Sequence, residues 1–143
     1  MFFKNHSAND RLSIWRNLRQ KEFNTPEELV LEYEPIKLLS RYIDYYSPKT
    51  WPTPFEIVNE GYFCHSGITL LITSHLIHRK FITGNEIHLQ VISNNIDGTH
   101  GLVLVDNKKV YNFFPGQVTD LENVKENSTI FTTHKLDKNQ FVY

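Results

Sequence analysis

One cysteine, Cys64, stands among 143 residues, which excludes an internal disulfide framework. Charge of either sign is equally scarce: 15 Lys and Arg against 16 Asp and Glu leave a formal net charge of −1. That balance gives no electrostatic footprint for nucleic acid and none for an anionic membrane. No apolar run reaches the ~20 residues that a membrane-spanning helix needs. The opening segment, Met1-Phe2-Phe3-Lys4-Asn5-His6, is too short and too polar for a signal peptide. The expectation is a soluble protein in the cytoplasm of the cell that makes it. Internal repeats, low-complexity segments, a Gly-rich phosphate loop and a Gly-x-Ser-x-Gly elbow are all absent, so no cofactor is expected.

What is there is a core. Ten Phe, seven Tyr and two Trp supply bulk for a chain whose length suits a single domain, 1–143. Leu12, Ile14, Trp15 and Leu18 recur at near-helical spacing, and Arg11, Arg16, Arg19 and Lys21 between them read as a solvated face. Thr25-Pro26-Glu27-Glu28 is a helix start, with Thr25 as N-cap, Pro26 in the first turn and Glu28 completing a capping box. That helix should reach about Tyr33 and meet Pro35, which ends or kinks it. A further helix is expected over Ile36, Leu38, Leu39, Tyr42 and Ile43, closing a helical N-terminal part, 1–47. Thr53-Pro54-Phe55-Glu56 repeats the start signal and opens a short helix that Gly61 terminates. A mostly apolar run, Ile68 to Ile77, predicts a central helix beginning at Cys64 and ending near Arg79 or Lys80.

Strand patterns follow. Ile87, Leu89 and Val91 alternate within Glu86 to Ser93, and His100 to Val105 is rich in branched apolar residues. Asp106-Asn107-Lys108-Lys109 reads as a hairpin turn, with Val110 to Phe114 as the return strand. The tail, 117–143, holds a strand at Thr129-Ile130-Phe131-Thr132 and a candidate at Phe141-Val142-Tyr143. Helices first and antiparallel strands afterwards is an α+β pattern.

Cys64 lies where unpaired N–H groups and the positive end of a helix dipole favour negative charge on its sulfur. His100 follows 36 residues later at the start of a strand. A lone Cys on a helix start with a distant His is the skeleton of a thiol acyl-transfer site; the alternative is a small buried hydrophobe. A Cys–His pair needs a third group to orient the imidazole. Asp106 lies about 20 Å along the same strand and cannot supply it. Asp97 reaches only if its loop folds back. Asn112 shares the sheet face of His100 if the hairpin turn holds three residues, 106 to 108. A four-residue turn sets it opposite Val103, on the other face. Asn112 is either a triad member or an ordinary polar residue beside Tyr111 and Phe113, and the turn length decides its face. His75 and His78 sit three residues apart, but Cys64 is about 16 Å away along the helix and cannot complete a metal site. No His-Glu-x-x-His pattern exists, so no metal is expected. His75 and His78 read as a polar helix edge, and His65 as solvent-facing.

Trp51-Pro52-Thr53-Pro54-Phe55-Glu56-Ile57-Val58, then Gly61 and Cys64, resembles the corresponding segment of bacterial transglutaminase-like (papain-like) cysteine proteins. Thr99-His100-Gly101-Leu102-Val103-Leu104-Val105 and Asn107-Lys108-Lys109-Val110-Tyr111-Asn112 are similar to that family's second motif. The Trp-Pro-Thr-Pro-aromatic-Glu variant also resembles small proteins of tailed bacteriophages. The resemblance covers roughly 48–116. It implies a central helix at Cys64 packed on a small antiparallel sheet, with Cys64 as nucleophile, His100 as general base and Asn112 as orienting group. The Cys64 N–H would help form an oxyanion hole, and Trp51 would pack near the cleft. The sequence departs from the family at Tyr62-Phe63, where Gly-Asp is usual, at Ser66, where an acidic residue is common, and at Asn112, where Asp is common.

Two functions follow as expectations. One is a cysteine hydrolase or acyltransferase acting on an amide or thioester. The other is a catalytically silent binding or structural module on the same scaffold. That module would be a phage virion component or a host-interaction factor, offering Tyr42, Tyr45, Tyr46, Trp51 and Phe55 to a protein or peptide partner. A phage-encoded chain would act in the host cytoplasm or be carried in the virion.

Overall fold

The computed structural model describes residues 6–34, 36, 38, 41–84 and 86–141. Among the described residues four α-helices precede the sheet: α1 (Ala8–Gln20), α2 (Pro26–Leu31), α3 (Pro54–Glu60) and α4 (His65–His78). Strands β1 (Ile87–Asn94), β2 (His100–Asp106), β3 (Lys109–Tyr111) and β4 (Val118–Asp120) follow, then α5 (Leu121–Glu126) and β5 (Ser128–Lys135). The five strands form one antiparallel sheet in the order β4-β3-β2-β1-β5. The architecture is α+β.

Local chemistry explains the helix ends. Thr25 Oγ1 accepts the Glu28 N–H, while the Glu28 carboxylate reaches back to the Asn24 N–H. Thr53 and Glu56 form a complete capping box, and Gly61 closes α3 at φ 76°, a left-handed backbone suited to glycine. Helix α4 is buried on every side from Ser66 to Leu76, the signature of a helix enclosed by other elements rather than laid on a surface. It packs on β2, α3 and α2.

Two apolar clusters clothe the sheet. Leu89, Val91, Leu102, Leu104 and Tyr111 belong to the main core with α4, whereas Ile92, Val103, Val105, Val110 and Phe113 meet Val124 of α5. Alternate residues of β2 therefore serve opposite faces, which is why that strand is almost wholly apolar.

Three of the expected secondary-structure elements differ in the structure. The stretch from Ile36 to Ile43 is not helical at any described position; residues 37, 39 and 40 lie outside the described residues. Ile36 and Ile43 are buried, but Tyr42 is 87% exposed, so the spacing marks separate anchors and not one helix face. The return strand stops at Tyr111, because Asn112 turns into the left-handed region at φ 69°. Phe141 ends a 3-10 turn, Lys138–Phe141, and residues 142 and 143 lie outside the described residues.

Candidate functional site

The hairpin register fixes the geometry of the site. Asp106 pairs with Lys109 and Leu104 with Tyr111, so the loop proper is Asn107-Lys108. Continued, that ladder would set Val103 opposite Asn112 and Leu102 opposite Phe113. It does not continue, and the vacant place beside Leu102 is taken by the first turn of α4. Ser66 Oγ accepts the Leu102 N–H at 3.0 Å, and Thr69 Oγ1 donates to the Leu102 carbonyl at 2.7 Å. Two helix hydroxyls thus replace the strand that Asn112 ends, satisfying backbone groups that would otherwise be buried unpaired. The approach is close enough to demand glycine next door. A Cβ on Gly101 would lie 2.5 Å from Ser66 Oγ.

Cys64 is the N-cap of this helix. Its Sγ accepts the Gly67 N–H at 3.2 Å, and the residue is half-buried. Arg11 holds the segment leading to it: Nε donates to the Val58 carbonyl at 2.8 Å and Nη2 to that of Asn59 at 2.7 Å, capping the end of α3. Arg11 is therefore a tie between α1 and α3 and not part of a solvated face.

His100 immediately precedes Gly101, so the stitch at Leu102 brings it to the α4 end of the sheet. Its Nδ1 lies 2.9 Å from Ser93 Oγ, and its ring stands edge-on to Tyr45 and Phe131 at centroid distances of 5.3 and 5.0 Å. Asn112 reaches the same helix turn by other contacts. Its Nδ2 donates to Thr69 Oγ1 at 2.9 Å and to the His65 carbonyl at 3.4 Å, and its Oδ1 accepts the Gly116 N–H at 3.2 Å. The amide is spent on α4 and on its own loop, whereas the imidazole of His100 is held by Ser93.

Two histidines are placed differently from the sequence expectation. His65 faces inward, with Nε2 2.6 Å from the Asn112 carbonyl, and burial pushes its pKa below the ordinary value. His75 is fully buried, its Nδ1 2.8 Å from the Tyr33 hydroxyl, between the rings of Phe23 and Tyr33. Burial, reinforced by the charges of His78, Arg79 and Arg19, lowers its pKa to about 3. It is a core residue and not a helix edge; His78 alone of that pair is exposed. His134, which no sequence signal singled out, stands edge-on to Trp51 and bonds the Tyr45 carbonyl at 2.8 Å. Trp51 is buried, Tyr45 half-buried, and Tyr42, Tyr46 and Phe55 exposed.

No protein family and no curated protein matches the sequence. Among solved structures the chain is similar to calcium-bound LapG of Legionella pneumophila, with a TM-score of 0.66 and 11% identity. The alignment covers 92% of this chain and 78% of that one. The fold is transglutaminase-like. At that identity the likeness concerns the fold alone. Among the described residues no group of three or more His, Cys, Asp or Glu side chains could hold a metal ion. Among those residues, no helix is long and apolar enough to cross a membrane.

Proposed function

We propose that this transglutaminase-like chain is a thiol hydrolase or acyltransferase with Cys64 as nucleophile and His100 as general base. One observation carries the reading. The half-buried Sγ of Cys64 caps a helix whose first turn is stitched to strand β2 two residues after His100. A helix N-terminus stabilises negative charge, and a strand start is a rigid mount for the base.

The reaction runs through an acyl-enzyme. His100 takes the Cys64 thiol proton as Sγ attacks the carbonyl carbon of an amide or thioester. The new C–S bond places the carbonyl electron pair on oxygen, where the Cys64 N–H stabilises it. Collapse of that intermediate breaks the bond to the leaving nitrogen or sulfur, and His100 returns the proton to it. Water or an amine then attacks the acyl carbon, gives its proton to His100 and releases Sγ. Asn112 acts on the helix that carries Cys64, through Thr69 and the His65 carbonyl, and not on the imidazole.

A stoichiometric burst with p-nitrophenyl acetate tests this. The reading requires an acetyl group on Cys64 by mass spectrometry, its loss in Cys64→Ser and slower formation in His100→Ala. Acetylation confined to lysines, with Cys64 unmodified, would end it.

A second reading has an observation of its own. Tyr42, Tyr46 and Phe55 are 87%, 59% and 54% exposed, which leaves three aromatic side chains open to a protein or peptide partner. On that reading the chain is a phage-borne binding or structural module, and Tyr42→Ser with Tyr46→Ser would abolish partner capture while leaving Cys64 chemistry irrelevant.

A further inference from the structure

We propose that Ser93 is the positioning residue for His100: its hydroxyl oxygen accepts the Nδ1–H and leaves Nε2 as the nitrogen that exchanges protons with Cys64. The inference rests on the thiol-site reading above for its consequence, and on geometry alone for the contact.

Ser93 and His100 are direct cross-strand partners in the β1–β2 ladder, so their side chains leave the sheet on the same side. Ser93 Oγ and His100 Nδ1 are 2.9 Å apart, a full hydrogen bond. The residue that the family resemblance would put in this role is engaged elsewhere. Both donors of the Asn112 amide go to α4 and its oxygen goes to Gly116. Its strand also ends before it could lie beside His100, because Asn112 is left-handed.

The ring is held on its flanks as well. Tyr45 stands edge-on at 5.3 Å and Phe131 at 5.0 Å. Phe131 is delivered by a β-bulge. Ile92 pairs with Ile130 and Val91 with Thr132, so Phe131 is the extra residue of β5, which re-aims its side chain towards His100 two strands away. Tyr45 is itself fixed by a hydroxyl contact with Ser66 Oγ at 3.4 Å and by His134 on its carbonyl at 2.8 Å. With its exposed ring flanked by Tyr45 and Phe131 and one nitrogen bonded to a hydroxyl, the imidazole has a single tautomer that leaves a basic nitrogen free. That tautomer carries the proton on Nδ1. Orientation plus tautomer is the service that a carboxylate or amide gives in other Cys–His sites. Ser93 supplies it without a charge.

The test is the tautomer of His100, read from imidazole nitrogen shifts by NMR at pH 8, where an ordinary imidazole is neutral. Native protein is expected to show the Nδ1–H form. Ser93→Ala should move it to Nε2–H and slow iodoacetamide alkylation of Cys64 by between about twofold and tenfold, the span of one side-chain hydrogen bond. Ser93→Thr keeps the hydroxyl and should restore both. Asn112→Gly, which tolerates the left-handed backbone but removes the amide, should leave the tautomer unchanged. An Nε2–H tautomer in the native protein, or an unchanged one in Ser93→Ala, overturns the proposal. A tautomer that follows Ser93 while Cys64 stays inert in every variant keeps the positioning contact and defeats the thiol-site reading instead.

Discussion

Replacing Gly101 with alanine probes how closely the sheet grips the central helix. In an ordinary strand the change would stabilise by roughly 0.5–1 kcal/mol, since glycine loses more backbone entropy on folding. Here the new Cβ would lie 2.5 Å from Ser66 Oγ and 3.4 Å from His65 Nδ1. Ser66 is 2% exposed and its oxygen holds the Leu102 N–H. If the hydroxyl swings aside, that N–H is buried unpaired at a cost of about 1–3 kcal/mol. If it stays, overpacking costs about 1–3 kcal/mol. Either route should cancel that gain and turn the substitution into a net loss of up to about 2.5 kcal/mol. Urea denaturation at 25 °C measures it by linear extrapolation. Ser66→Ala removes the clashing atom, because Ser66 Cβ lies at an ordinary 3.8 Å. The double variant should therefore be as stable as Ser66→Ala alone or more stable by up to about 1 kcal/mol, a strong non-additivity. Gly101→Ala more stable than the parent, as in an ordinary strand, or two costs that simply add, would refute the claim that the helix hydroxyl occupies the missing strand's place.

Two further outcomes are expected. His75 binds its proton near pH 6.5 when unfolded and near 3 when folded, so between those values the unfolded state holds more protons. Stability should therefore be complete above about pH 6.5 and fall as pH drops towards 3, by up to about 1.4 kcal/mol per pH unit from this group. His75→Gln keeps a partner for the Tyr33 hydroxyl but cannot titrate, so urea midpoints at pH 7, 5.5 and 4.5 should show a shallower fall; an identical fall would discount His75. Arg11→Ala should destabilise by about 1–3 kcal/mol, because it strips the fork from the α3 carbonyls, and Arg11→Lys should not restore it, since an ammonium lacks that planar pair of donors. Full rescue by lysine, read from the same denaturation curves, would mean that only charge matters there.

The readable part of the fold was its local chemistry. Thr25, Thr53 and Gly61 announce helix ends through caps that depend on a few neighbours, and the alternation at Ile87, Leu89 and Val91 announces a half-buried strand. Elements set by tertiary partners were not readable. Strand β4 has three residues and α5 has six, too few to show a period. The inward turns of His65 and His75 depend on what lies across from them, the Asn112 carbonyl and the Tyr33 hydroxyl. Cys64 and His100 carried sequence signals because each opens an element. Ser93 carried none: it is one more polar residue on an alternating strand, and only the β1–β2 register sets it opposite His100. The end of β3 did have a signal, since Asn is among the few residues that enter the left-handed region and Phe-Phe-Pro-Gly follows it.

The most direct test of a working thiol site is the iodoacetamide alkylation rate of Cys64 at pH 7, native against unfolded in urea, in the parent and in His100→Ala. The account predicts a native thiol that reacts faster than the unfolded one and loses that advantage in His100→Ala. A native Cys64 that stays inert until the protein unfolds would contradict it and leave the exposed aromatic side chains Tyr42, Tyr46 and Phe55 to pursue.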